Sequence, residues 1–253
     1  MVSHRRFDLI LFDLGDTLIY FDGDWPQVFA QARDAMLRSL QQDGLDLGQK
    51  FLDEFYDRMQ AYYLERDTEF IEHTTYFVLR TMLNDWGYEN TPDEILRAAL
   101  IGFHSVTQMS WRPESDAIPT LQALRQMGYR LAVVSNAADD NNTQVLVDKL
   151  GARPYLEFVI SSAAQGMRKP NPKIFLSALQ RLNVDPKRAV MVGDTLGADI
   201  LGAHNAGIFA IWVTRRADTA ANRAHADTIR PDAQLVNLSD LPALMQELER
   251  TTL

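Results

Sequence analysis

A chain of 253 residues holds one large α/β domain, or one domain carrying an insertion, and is too short for a multi-domain assembly. Its 46% hydrophobic and 23% charged residues are ordinary globular values, which excludes disordered and collagen-like classes. Lys and Arg number 25 against 34 Asp and Glu, and the formal net charge of −9 opposes non-specific nucleic-acid binding, although not phosphate chemistry at a site where a bound metal reverses the local field. The chain has no Cys, so disulfides, thiolate metal sites and Cys nucleophiles are excluded together.

Asp8 and Asp13 interrupt the first apolar run, which is therefore not read as a signal peptide. No uncharged stretch approaches the roughly 18 residues of a spanning helix. The expectation is no membrane partner, no nucleic-acid partner and a cytoplasmic location.

In chain order, Phe7 to Asp13 is a short apolar run ending in Asp13 and Gly15, as a buried strand ends before a turn. From Asp24 to Gln108 the pattern is helical. Trp25 to Leu40, Gly48 to Leu64, Thr68 to Leu83 and Pro92 to Val106 carry apolar residues at three- and four-residue spacing. Breaks are expected at Gln42–Gly44, at Arg66-Asp67 and at Gly87–Pro92, with Pro92 at the first helical position.

From Arg112 onward, strands alternate with helices. Strands are predicted over Tyr129–Ser135, Phe158–Ser161, Ala189–Val192, Phe209–Val213 and Ala233–Val236. Helices are predicted over Ala117–Met127, Asn142–Leu150, Pro172–Leu182, Ala198–Asn205 and Leu241–Glu249. Apolar strands alternating with helices imply a doubly wound parallel sheet covered on both faces. The domains read as residues 1–23 with 109–253 for the α/β core, and 24–108 for an all-helical cap inserted after the first strand. Phe21–Asp24 and Met109–Glu114 would be its linkers, with Gly23 free to absorb backbone change.

Ligands of open parallel sheets bind at the carboxyl ends of the strands. There the sequence places Asp13-Leu14-Gly15-Asp16-Thr17, Ser135-Asn136, and Gly193-Asp194-Thr195 followed by Asp199, with Lys169 between the third and fourth strands. Carboxylates of this kind suit a hard cation such as Mg²⁺, with substrate phosphate completing its shell. Taken singly, each has a plainer reading: a turn aspartate, helix caps, a solvated lysine, a first-turn carboxylate. Their ordered placement on different strands is what capping alone does not explain. In the helical segment, Phe55, Tyr56, Tyr62, Tyr63, Tyr76 and Phe77 read as packing residues, His73 and Arg80 as a solvated face, and His104 and His204 as unspecific.

These stretches resemble the haloacid dehalogenase-like (HAD) hydrolase superfamily over nearly the whole chain. The four motifs are Asp13–Leu18 (DLGDTL), Ser135-Asn136, Lys169 within RKPNPKIF, and Gly193–Asp199 (GDTLGAD). The resemblance implies a Rossmann-like core and a Mg²⁺-dependent phosphatase of small phosphorylated metabolites, with macromolecular esters disfavoured by the cap. Asp13 would be the nucleophile and form an aspartyl-phosphate. Asp13, the Gly15 carbonyl, Asp194 and Asp199 would hold the metal. Ser135, Asn136 and Lys169 would hold the phosphate, Lys169 also neutralising charge during catalysis.

One departure stands out: the family's phosphatases usually carry an acid/base aspartate where this chain has Gly15. Asp16, one residue on, is the candidate substitute, although a turn role bonding backbone N–H groups is the preferred reading, with Gly15 holding a positive φ. Two alternatives remain open: a catalytically weak HAD-fold binding protein, and a metal-independent 2-haloacid dehalogenase. Asp194 favours phosphate over halide.

Overall fold

The computed structural model describes residues 5–250, apart from the side chains of residues 67–69; residues 1–4 and 251–253 of the expected core lie outside it. Its strands are β1 (Leu9–Phe12), β2 (Ile19–Phe21), β3 (Trp111–Pro113), β4 (Arg130–Ser135), β5 (Val159–Ser161), β6 (Ala189–Gly193), β7 (Phe209–Val213) and β8 (Ala233–Leu235). Six of them form one parallel sheet in the order β5-β4-β1-β6-β7-β8, so the fold is a doubly wound, Rossmann-like α/β core.

The reason for the continuous apolar runs is visible in β1. Leu9 and Leu11 join an apolar cluster on one face of the sheet, and Ile10 and Phe12 join another on the opposite face. Ala132 and Val134 against Leu131 and Val133, and Ala189 and Met191 against Val190 and Val192, divide in the same way. Strands with both faces buried have no polar side, which removes the usual alternation.

The helices are α1 (Trp25–Gln42), α2 (Gln49–Glu69), α3 (Thr75–Asp85), α4 (Asp93–Gln108), α5 (Ala117–Gln126), α6 (Asp140–Leu150), α7 (Ser162–Gln165), α8 (Pro172–Leu182), α9 (Leu201–Asn205), α10 (Ala220–Arg223) and α11 (Leu241–Arg250). Helices α1–α4 lie between β2 and β3 and share an apolar cluster of their own, including Phe29, Met36, Phe51, Phe55, Leu79 and Phe103. Asp24 caps α1 by accepting from the Gln27 N–H at 3.0 Å, with Pro26 in the first turn.

Two expectations are corrected, and the segments expected as linkers are found paired. No break occurs at Arg66-Asp67: α2 continues to Glu69 and ends at Phe70, whose φ is 54°. Pro92 occupies the cap position of α4, one residue earlier than expected. The two linkers are largely a paired ribbon. Tyr20 faces Arg112 and Phe21 faces Trp111 in antiparallel register, and the Asp22 N–H extends the pairing to the Ser110 carbonyl at 2.7 Å. Glu114, just after β3, ties the ribbon to the loop after β7 by accepting from Arg215 at 2.6 Å and Arg216 at 2.5 Å.

Candidate functional site

Phe12 pairs with Val133 on one side and Val192 on the other, so β1, β4 and β6 end within two residues of the same level. This is the point where the strand order reverses, and it sets Asp13, Ser135 and Asp194 side by side. A cavity of about 770 Å³ opens here. Asp13, Gly15, Asp16, Ser135, Asn136, Lys169, Asp194 and Asp199 all line it, so the candidate catalytic, phosphate-binding and metal residues of the sequence share one cavity.

Lys169 is the centre of the arrangement. Its buried ammonium donates to Asp13 at 2.5 Å, to Asp199 at 2.6 Å and to the Val134 carbonyl at 2.8 Å. Asn136 clasps the same residue from outside: its side chain accepts from the Lys169 N–H at 2.8 Å and donates to the Lys169 carbonyl at 3.0 Å. Asn136 therefore acts on the lysine loop, in addition to lining the cavity. Asp199 reaches the cluster because the chain passes through a wide π-type turn at Leu196–Ile200, which brings its carboxylate to the Thr195 N–H at 3.0 Å.

Three carboxylates, from Asp13, Asp194 and Asp199, offer oxygens within 4.8 Å of one another. A single ammonium faces them, and the electrostatics reflect that imbalance. Burial, opposed by Lys169 and reinforced by Asp199, raises the Asp13 carboxyl to about 6. Burial, then the charges of Asp199, Asp13 and Asp16, pushes the Asp194 carboxyl well above the carboxylate range. Lys169, which burial alone would push down, is raised by Asp13 and Asp199. Among the described residues the Asp194 carboxylate has only long hydrogen bonds, from Thr17 at 3.4 Å and Thr195 at 3.2 Å. An all-oxygen donor set with excess negative charge and weakly engaged carboxylate oxygens fits a hard divalent cation.

Asp16 and Gly15 differ from expectation. The positive φ belongs to Asp16, at 54°, and not to Gly15. Among the described residues no backbone N–H bonds the Asp16 carboxylate, so the turn role assigned to its side chain does not hold. It lines the cavity instead, with its carboxyl raised by burial and faced by Arg216 and Glu114.

Several residues lacked a sequence signal. Asn222, on α10, donates to the Asp194 carbonyl at 2.9 Å and accepts from the Leu196 N–H at 2.7 Å, while the Trp212 indole donates to the same Asp194 carbonyl at 2.7 Å. Together they fix the backbone that aims Asp194. Trp25, Tyr63, Arg66, Phe103 and His104 bring the helical insert to the cavity, His104 lying 3.6 Å from Asp139. Of the other helical residues, Phe55 and Tyr62 are buried, whereas Tyr56 and Phe77 are exposed. Arg80 pairs with Asp93, and His204 with Asp232.

The sheet, its switch point and the acid–lysine cluster define a doubly wound α/β enzyme. Residues 7–207 match the family described as haloacid dehalogenase-like hydrolase, and the chain belongs to that family. It is similar to a glyceraldehyde 3-phosphate phosphatase of Methanopyrus kandleri, with 31% identity covering 95% of this chain and 98% of the relative. Among solved structures, a 2-haloacid dehalogenase from Pseudomonas syringae pv. Tomato DC3000 superposes with a TM-score of 0.65 at 29% identity, covering 96% of this chain and 99% of that one. A HAD phosphatase from Thermococcus onnurineus shares the fold, with a TM-score of 0.61 at 24% identity and coverage of 94% and 98%. Among the described residues no helix is long and apolar enough to cross a membrane.

Proposed function

We propose that this hydrolase is a Mg²⁺-dependent phosphatase of small phosphorylated metabolites, with a three-carbon sugar phosphate such as glyceraldehyde 3-phosphate as its first candidate substrate. The observation that carries this reading is the acid cluster: Asp194 and Asp199 crowd Asp13 against one lysine. A carboxylate nucleophile needs Lys169 alone, whereas the surplus carboxylates call for a cation. The likeness to the Methanopyrus kandleri phosphatase over nearly the full length of both chains supports the same choice.

Mg²⁺ would be held by Asp13, the Gly15 carbonyl and Asp194, with Asp199 behind them, and when bound it would offset the negative charge of phosphate oxygens. Asp13 attacks phosphorus as the ester P–O bond breaks, giving an aspartyl-phosphate and a leaving alkoxide that takes up a proton. Water then attacks phosphorus, phosphate departs and Asp13 is restored. Lys169 keeps Asp13 oriented and neutralises charge, and Ser135 with nearby backbone N–H groups holds phosphate oxygens. Asp16 is the carboxyl available for the leaving-group proton, since its side chain lines the cavity without a backbone partner. Helices α1–α4 act as a cap over residues 24–108, joined to the core through the β2–β3 ribbon, and shield the reaction from water.

The test is release of phosphate from a panel of phosphorylated metabolites with and without Mg²⁺. Activity is expected only with the metal, and Asp13→Asn is expected to abolish it in a folded protein. A second reading rests on the 29% identity with the Pseudomonas syringae dehalogenase and on Gly15. Release of halide from 2-haloacids without metal, and no phosphate release from any ester, would select it.

A further inference from the structure

Glu72 lies in the loop between α2 and α3, yet its side chain is fully buried. Its carboxylate accepts from the Tyr62 hydroxyl within the insert and, across to the core, from the Ser162 hydroxyl at 2.6 Å and Arg168 at 3.3 Å. The backbone beside it is paired to the core as well. The Arg168 N–H donates to the Phe70 carbonyl at 3.0 Å, the Glu72 N–H to Gly166 at 3.3 Å, and the Thr75 N–H to Ala138 at 2.9 Å. The core strips touched in this way, 137–138 and 166–168, directly adjoin Asn136 and Lys169.

A buried carboxylate is costly unless paired and fully hydrogen-bonded, and two of the three donors to Glu72 belong to the core. The network is therefore complete only while the insert sits on the core. Its other end lies in the site. The Ser162 hydroxyl that donates to Glu72 accepts from the Ala137 N–H at 2.8 Å, and the neighbouring Asn136 clasps the Lys169 backbone on both sides. Arg168, the second core donor, is the residue before Lys169.

We propose that Glu72 is a positioning residue through which docking of the helical insert orders the loops carrying Ser135-Asn136 and Lys169. The role assigned to those loops rests on the phosphatase reading; the mechanical coupling does not. Insert docking and assembly of the phosphate-binding half of the site are then one event. Undocked, the Lys169 loop keeps its ammonium contacts and the Asn136 clasp but loses the Glu72 and Phe70 contacts to Arg168 that brace them.

The test is NMR-detected amide exchange on the intact protein and on Glu72→Gln, which keeps the shape and removes the charge. Losing a charge-assisted network is expected to speed exchange about tenfold at residues 72–75 and also at Ala137 and Lys169, with β1 and α1 unchanged. Tyr62→Phe and Ser162→Ala are milder variants that keep the test available if Glu72→Gln does not fold; Ser162→Ala is expected to loosen Ala137 and Lys169, Tyr62→Phe to act less strongly. In kinetics with Mg²⁺, a lost docking equilibrium raises KM and lowers kcat together, whereas a merely less stable fold lowers the active fraction and leaves KM alone. Faster exchange confined to residues 72–75, with Ala137 and Lys169 unmoved, would overturn the coupling. The exchange result with no phosphatase activity in any variant would leave the coupling standing and sink the phosphatase reading instead.

Discussion

Gly193 ends β6 directly behind the acid cluster, and adding one methyl group there tests how tightly the cluster is built. A Cβ at this position would lie 2.4 Å from Asp199 Cγ and Oδ2 and 2.7 Å from its Cβ, far inside ordinary contact. The Asp199 side chain must therefore withdraw by about 1 Å, since well-packed atoms have no room to share. Its two oxygens hold Lys169 at 2.6 Å and the Thr195 N–H at 3.0 Å, and neither bond survives that shift intact. Overpacking of about 1–3 kcal/mol, with a weakened charge-assisted bond, gives about 3 kcal/mol for Gly193→Ala. For a chain of this size that is roughly 6–12 °C in Tm. Displacing Lys169 by a comparable distance is expected to lower kcat by about 10²-fold. Thermal unfolding and phosphate release measure the two effects, and in an Asp199→Gly background the added methyl should cost under about 0.5 kcal/mol, because the clash is gone. A Gly193→Ala protein within about 1 °C of the parent and within about twofold of its rate would refute the packing argument.

Lys169→Met leaves Asp13 and Asp199 buried without their cation and should cost about 3–5 kcal/mol near neutral pH, read by chemical denaturation; parent-like stability would contradict it. The raised Asp13 and Asp194 carboxyls mean that the folded state binds protons more readily than the unfolded chain. In metal-free protein the Asp13 contribution is therefore fully present below about pH 4 and lost as pH rises through about 6, with the Asp194 contribution changing in the same direction, so Mg²⁺ should raise Tm more at about pH 7.5 than at about pH 5. An equal gain at both would count against it. For Gly15→Asp, the new Cβ meets Trp111 only at an ordinary 3.6 Å and the backbone has no positive φ, so the variant should fold. With Asp16 already managing the leaving-group proton, it should leave the ratio of alkyl- to aryl-phosphate turnover within about twofold of the parent's; a rise towards the roughly 10²–10⁴-fold that acid–base help supplies would show that the parent lacks the acid. Asp16→Asn tests that directly, with a selective loss of about tenfold or more in alkyl-phosphate turnover expected.

The parts legible in the sequence are those with a local signature. Leu9–Phe12 and Ala189–Gly193 are apolar throughout because both faces of the sheet are covered, and each is followed at once by an acidic residue. Placing Asp13, Ser135 and Asp194 at strand ends was enough to bring them together once the strands are parallel and adjacent. The ribbon was not legible, because β2 and β3 have three residues each and are far apart in the chain, too short for an alternating pattern to declare itself. Arg66-Asp67 looked like a break but contains no residue that stops a helix, whereas the real stop, Phe70 in the left-handed region, carries no helix-stop signature. Asn222 and Trp212 act on the Asp194 backbone from a separate helix and strand, a relation that only tertiary structure creates. Glu72 is similar: one acidic residue in a loop, distinguished by burial alone.

The central claim is that Asp13 takes the phosphoryl group. It is tested most directly by mixing the Mg²⁺-loaded enzyme with glyceraldehyde 3-phosphate, quenching in acid within one turnover, and mapping the product by peptide mass spectrometry. The peptide containing Asp13 is expected to gain the mass of one phosphoryl group, sensitive to hydroxylamine and absent from Asp13→Asn. Turnover of the substrate with the phosphoryl mass on another residue, or on none at any quench time, would contradict it.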